Sequence, residues 1–131
     1  MSRRVVLVVG PPGAGKSTWA RSQAGECDTV VDFDEIAREL GSRHAHRHDS
    51  SVIARSIVEQ KRRERAVAAM QDGGAYVVRV ASDPRERAHL AALLRAEVRV
   101  VDPGRGVVES RLHGRPESAR REVDRWYRLN G

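Results

Sequence analysis

The 131-residue chain is long enough for one domain with its own core and too short for two ordinary ones, so a single domain over residues 1–131 is expected. Its net charge of +6 rests almost wholly on arginine, with Lys16 and Lys61 the only lysines. A basic surface favours phosphate-rich partners such as nucleic acid, and it equally fits an arginine excess carried over from a GC-rich genome. The single cysteine, Cys27, excludes an intrachain disulfide framework and a cysteine zinc site. The first apolar run is too short for a signal segment or a membrane span, which points to a cytoplasmic protein with no membrane partner.

That run, Val5 to Val9, predicts a buried strand, and it leads into Gly10-Pro11-Pro12-Gly13-Ala14-Gly15-Lys16-Ser17-Thr18. All fixed positions of a P-loop are present, with a strand before and a helix after. Such a loop points its backbone N–H groups at one spot, which suits a polyphosphate. Gly13 and Gly15 let the backbone wrap the phosphates, Lys16 reaches the β and γ oxygens, and Ser17 is the expected Mg²⁺ ligand. Thr18 to Ala24 continues the helix until Gly25.

A second strand is predicted over Thr29–Phe33, with Asp34 as the N-cap of a short helix ending at Gly41. Asp32 and Asp34 then fall at the carboxyl end of a strand, where ligands bind in parallel α/β sheets. If the extended conformation continues through Phe33, both side chains point the same way. They can serve Mg²⁺ and a general base, with Asp32 the metal candidate, or be no more than a cap and a strand-end polar group.

His44, His46 and His48 follow at alternate positions. A mobile, solvated loop covering the substrate fits them better than a metal site, because no conventional zinc set lies nearby. A long helix is predicted from about Val52 to Gln71, with Val52, Ile53, Ile57, Ala66, Val67 and Met70 as its apolar stripe. Its block Lys61 to Arg65 is either a solvated face or a contact for a nucleic-acid backbone. Ala75 to Val80 reads as the third strand, interrupted by Arg79.

Asp83-Pro84-Arg85-Glu86 has the form of a helix start, and Leu90 and Leu94 with Ala88 and Ala91 give that helix a buried face. Glu97–Val101 is the fourth strand. A short helix with Val108 and Leu112 follows, closed by Arg111 to Arg115. Pro116 then opens a terminal helix whose apolar face is Ala119, Val123, Trp126 and Tyr127. Arg111 and Arg115 suit a lid over ATP, or are ordinary surface arginines.

The order of these pieces resembles the kinase domain of bacteriophage-type polynucleotide 5′-hydroxyl kinases and, more broadly, the small P-loop kinases grouped with AAA-type ATPases. The resemblance is carried by Gly10 to Arg21, including Trp19-Ala20-Arg21, by Asp34, by Asp83 to Glu86, by Val101-Asp102-Pro103 with Arg111 and Arg115, and by Val123 to Tyr127. It implies a three-layer α/β P-loop NTPase fold with about four parallel strands in the order 2-3-1-4. It further implies ATP and Mg²⁺ as cofactors, Asp34 as the general base, and Arg111 and Arg115 on the ATP phosphates. Two departures stand out. Ala37 occupies the position where the family commonly has an arginine for the acceptor phosphate, with Arg38 one residue later, and the third strand ends without an acidic residue.

The implied activity is phosphoryl transfer to a hydroxyl, with a nucleic-acid 5′ end as the family's acceptor. Two other readings remain: a P-loop ATPase working with a nucleic-acid-processing partner, and a non-catalytic nucleotide-binding module.

Overall fold

The computed structural model describes residues 2–43 and 48–131. Its strands are β1 (Arg3–Val9), β2 (Thr29–Val31), β3 (Gly73–Arg79) and β4 (Glu97–Val100). They form one parallel sheet in the order β2-β3-β1-β4. The helices are α1 (Lys16–Gln23), α2 (Phe33–Glu39), α3 (Ser50–Ala69), α4 (Pro84–Leu94), α5 (Arg105–Ser110) and α6 (Glu117–Asn130). This is the three-layer P-loop NTPase fold.

Side chains alternate across a strand, so the unbroken apolar run of β1 feeds two cores at once. Val5, Leu7 and Val9 pack with Ile36, Val67, Leu90, Leu94 and Trp126 on one face, while Val6 and Val8 meet Ala20, Tyr76 and Val78 on the other. A third cluster of Ala14, Val108, Leu112 and Val123 lies beneath the P-loop and joins it to α5 and α6. The edge strand β4 is exposed along its whole length.

Two charged or polar groups in sequence act as clasps. Arg3, at the start of β1, donates to the backbone carbonyls of Met70, Arg95, Val67 and Leu94, and so gathers the C-terminal ends of α3 and α4, where the helix dipole favours a cation. Asp102, just past β4, accepts from the Tyr127 hydroxyl at 2.6 Å, the Trp126 indole at 3.3 Å and the Gly104 amide at 2.9 Å. The Trp126-Tyr127 pair is thereby tied to the exit of β4.

The α3 helix departs from its predicted stripe. Ile53 and Ile57 are 37% and 44% exposed, Ala66 is also exposed, and the buried line runs Val52, Ser56, Gln60, Glu64, Val67. Spacings of four and three place these five on one face. Each polar member is satisfied. The Ser56 hydroxyl donates to the Val52 carbonyl at 2.6 Å and the Gln60 amide to Glu64 at 3.1 Å, while Glu64 accepts from the Arg79 Nε and NH2 groups at 2.9 and 3.2 Å. The arginine that interrupts β3 is therefore the partner of a buried glutamate. Glu64→Ala is expected to destabilise the chain by about 3 kcal/mol, the low end for breaking a buried pair because Arg79 keeps some water, and chemical denaturation measures it.

In α4, Asp83 caps the helix by accepting from the Arg85 amide at 2.9 Å, with Pro84 in the first position as expected. Leu90 and Leu94 are buried, but Ala88 is exposed, so the buried face of α4 is narrower than its apolar pattern suggests.

Candidate active site

The P-loop is built by backbone geometry. Gly13 and Gly15 have φ of 82° and 92°, in the left-handed region that glycine adopts without a steric cost. A Cβ on Gly10 would lie 2.2 Å from the Val101 carbonyl oxygen, so the chain leaving β4 can cross here only over glycine. Gly15 occupies the N-cap of α1 and offers no capping side chain, so the N–H groups of the first turn are left for a ligand.

Pro12 to Thr18 line a cavity of about 740 Å³ at the carboxyl ends of β1, β2 and β3, while Gly10 and Pro11 are buried beneath it. The Lys16 ammonium donates to the carbonyls of Gly10 at 2.7 Å and Pro11 at 2.9 Å. Burial, followed by the nearby Arg115 guanidinium, holds the Lys16 pKa down at about 8, against partial compensation from Asp32 and Asp34.

The sign of this shift has two consequences. Lys16 titrates lower folded than unfolded, so between about pH 8 and the ordinary lysine value the free chain gains stability as pH rises. Nucleotide phosphates would favour the ammonium and raise its pKa, so binding would take up a proton in that window. ATP affinity is then expected to fall with rising pH above about 8, by up to about tenfold per unit, as calorimetric titrations across that range would measure.

The second wall comes from the β2–α2 junction. The strand ends at Val31 and α2 begins at Phe33, so the cap is Asp32 and not Asp34: Asp32 Oδ1 accepts from the Asp34 amide at 3.1 Å. The extension expected through Phe33 is absent, because that cap turns the chain into helix. Both aspartates still line the cavity, Asp32 from the cap and Asp34 from the first turn. Asp32 is almost fully buried, and its Oδ2 accepts from Arg21 at 3.3 Å. Arg21 also holds Glu35 at 3.0 Å, which gives the Trp19-Ala20-Arg21 extension a task of its own: it bolts α1 to the β2–α2 junction.

Asp34 Oδ1 lies 2.8 Å from Nε2 of His48. His48 is buried, with its Nδ1 at 2.5 Å from the Ser42 hydroxyl and its ring edge-on to Phe33. The expectation of a solvated histidine loop fails for His48, whose ring is packed and hydrogen-bonded. His44 and His46 lie outside the described residues. Among the described residues no cluster of histidines, cysteines and carboxylates could hold a metal ion.

Arg111 and Arg115 do not share one helix face, because α5 ends at Ser110 and Gly114, at φ 79°, turns the chain between them. Arg111 is exposed and donates to the Gly13 carbonyl at 3.2 Å. Arg115 is half-buried in the cavity wall, and its guanidinium is held below its ordinary pKa chiefly by burial, with Asp34 opposing.

The remaining wall is one that sequence reasoning missed. Ile57, Gln60 and Lys61 of α3 line the cavity together with Val78 to Ala81 at the end of β3 and Arg38 of α2. One side of α3 is thus cavity wall, a tertiary placement that its own sequence pattern does not carry. Ala81 has φ 45°, rare outside glycine, and its carbonyl is gripped by Arg87 at 3.1 and 3.3 Å. Within the described residues Arg38, Lys61 and Arg115 form no ion pair, so the cavity offers cationic groups that an anionic ligand can take up. No described helix is long and apolar enough to cross a membrane.

Comparison with known proteins places this geometry. A family model described as an AAA domain matches residues 5–126. Among solved structures, the fold is similar to a chain in the structure of the Pnkp1/Rnl/Hen1 RNA repair complex, with 14% identity and a TM-score of 0.68. The match covers 98% of this chain and 45% of the other, so this chain spans less than half the length of that neighbour. No curated protein matches the chain in sequence.

Proposed function

The chain belongs to the AAA domain family, and from that membership together with the cavity we propose that residues 1–131 act as one kinase-like domain transferring the γ-phosphoryl group of ATP to a hydroxyl acceptor. The observation that carries this reading is that the P-loop with Lys16, the Arg115 guanidinium and the Asp34 carboxylate all line one cavity. A hydrolase needs only water beside the phosphates. Here a carboxylate lines the same cavity as the P-loop, in a space large enough for a second substrate, beside Arg38 and Lys61, which form no ion pair among the described residues.

The donor set fits ATP and its metal. The left-handed glycines and the uncapped start of α1 present backbone N–H groups for phosphates, and Ser17 and Asp32 stand beside them as the groups that would hold Mg²⁺. When bound, Mg²⁺ would offset the negative charge on the phosphates during transfer. Lys16 would leave the Gly10 and Pro11 carbonyls for the phosphate oxygens. Asp34 would take the proton of the acceptor hydroxyl as its oxygen bonds to the γ-phosphorus and ADP departs. Arg115 would offset the charge on the transferring group from inside the cavity, while Arg111 would brace the P-loop through Gly13.

The neighbour in an RNA repair complex makes a polynucleotide 5′-hydroxyl the first acceptor to try. ATP turnover measured with and without 5′-hydroxyl DNA and RNA oligonucleotides tests the proposal. Turnover that depends on the oligonucleotide and places phosphate on its 5′ end supports it. Phosphate released to water at the same rate with or without the oligonucleotide would favour the ATPase reading, and no turnover at all a binding module.

A further inference from the structure

We propose that His48 is a positioning residue for phosphoryl transfer, holding the Asp34 carboxylate in the orientation that receives the acceptor proton; this rests on the assignment of Asp34 as the base. The ring is only 3% exposed, and it is packed edge-on to Phe33 at 5.9 Å between ring centres. A carboxylate accepts and an imidazole nitrogen can donate, so Nε2 donates to Asp34 Oδ1 at 2.8 Å. Nδ1 then pairs with the Ser42 hydroxyl at 2.5 Å, which fixes the ring from its far side.

An aspartate in the first turn of a helix has a soft terminal torsion, so by itself it samples many carboxylate orientations. Proton transfer requires hydrogen-bond reach of about 2.6–3.2 Å in a narrow arc, and small misplacements of a reacting group cost up to about 10²-fold. An oxygen bonded to a ring that is itself held by Ser42 and packed on Phe33 loses much of that freedom. The anchor arrives from the far side of a loop: His48 is fourteen residues beyond Asp34 and reaches it across the turn after α2.

The test uses the whole chain with ATP, Mg²⁺ and a 5′-hydroxyl RNA oligonucleotide. His48→Ala is expected to lower kcat about 10- to 100-fold while the KM for ATP stays within about twofold. His48→Gln can place an amide N–H where Nε2 stood and should recover most of the rate. His48→Asn, whose amide overlays Nδ1 instead, should not, and the Gln and Asn pair carries the comparison if the alanine variant fails to melt cooperatively. In an Asp34→Asn background, His48→Ala should cost nothing further, because the group it positions is gone.

A full kcat in His48→Ala, or an equal loss in both backgrounds, would overturn the inference while leaving Asp34 as the base. Unchanged transfer in Asp34→Asn alone, or no transfer by the unaltered chain, would instead overturn the reading on which it rests, and the inference with it.

Discussion

Lys16→Ala is expected to cut phosphoryl transfer by at least about 10²–10³-fold, while the free chain still melts cooperatively within about 4 °C of the unaltered protein. The two halves of this expectation come from the same environment. The ammonium sits in a half-buried cleft against two loop carbonyls and beside Arg115, where the charged form is disfavoured enough to lower its pKa to about 8. Removing that charge relieves a desolvation cost as it removes two hydrogen bonds, so the folded state loses little. The loop's shape comes from Gly10, Gly13 and Gly15 and from packing of Ala14 on Val108 and Leu112, none of which needs the lysine. Transfer loses the one lysine on the phosphate cradle. Measured turnover beside thermal unfolding checks both halves, and near-normal turnover would remove the P-loop from the chemistry.

Asp34→Asn is the second large effect. Transfer is expected to fall by roughly 10²–10⁴-fold, the usual contribution of a general base, with ATP affinity nearly unchanged. The fold sharpens this test. The α2 cap is Asp32, whose Oδ1 takes the amide of residue 34, so a substitution at 34 leaves the cap in place. Asparagine keeps an oxygen that His48 Nε2 can still reach while it removes the proton acceptor. A variant that also loses ATP affinity would point to a carboxylate acting through Mg²⁺. Near-normal transfer would pass the role to Asp32, although Asp32 is already committed to Arg21 and the cap.

What could be read from the residues alone followed from local rules. The P-loop is a contiguous motif between a five-residue apolar run and a helix, and the four strands are short runs bounded by glycine, proline or aspartate. The strand order came with the family resemblance. The α2 boundary was misread because Asp32 and Asp34 are both competent caps, and only the backbone turn at Asp32 decides between them. The α3 stripe was misread for a different reason. Its buried line includes Ser56, Gln60 and Glu64, and the buried charge of Glu64 is met by Arg79 from β3, a partner fifteen residues further on that no helical period reveals. His48 was hidden in the same way: alternation with His44 and His46 gave no sign of its pairing with Asp34 and Ser42.

The most direct measurement is the fate of the γ-phosphate. Label ATP at that position, add Mg²⁺ and a 5′-hydroxyl RNA oligonucleotide, and separate labelled oligonucleotide from free phosphate. A phosphotransferase built on Lys16, Asp34 and Arg115 puts the label on the oligonucleotide's 5′ end, and Asp34→Asn removes most of it. Label found only as free phosphate, at a rate that neither the oligonucleotide nor Asp34→Asn changes, would contradict it.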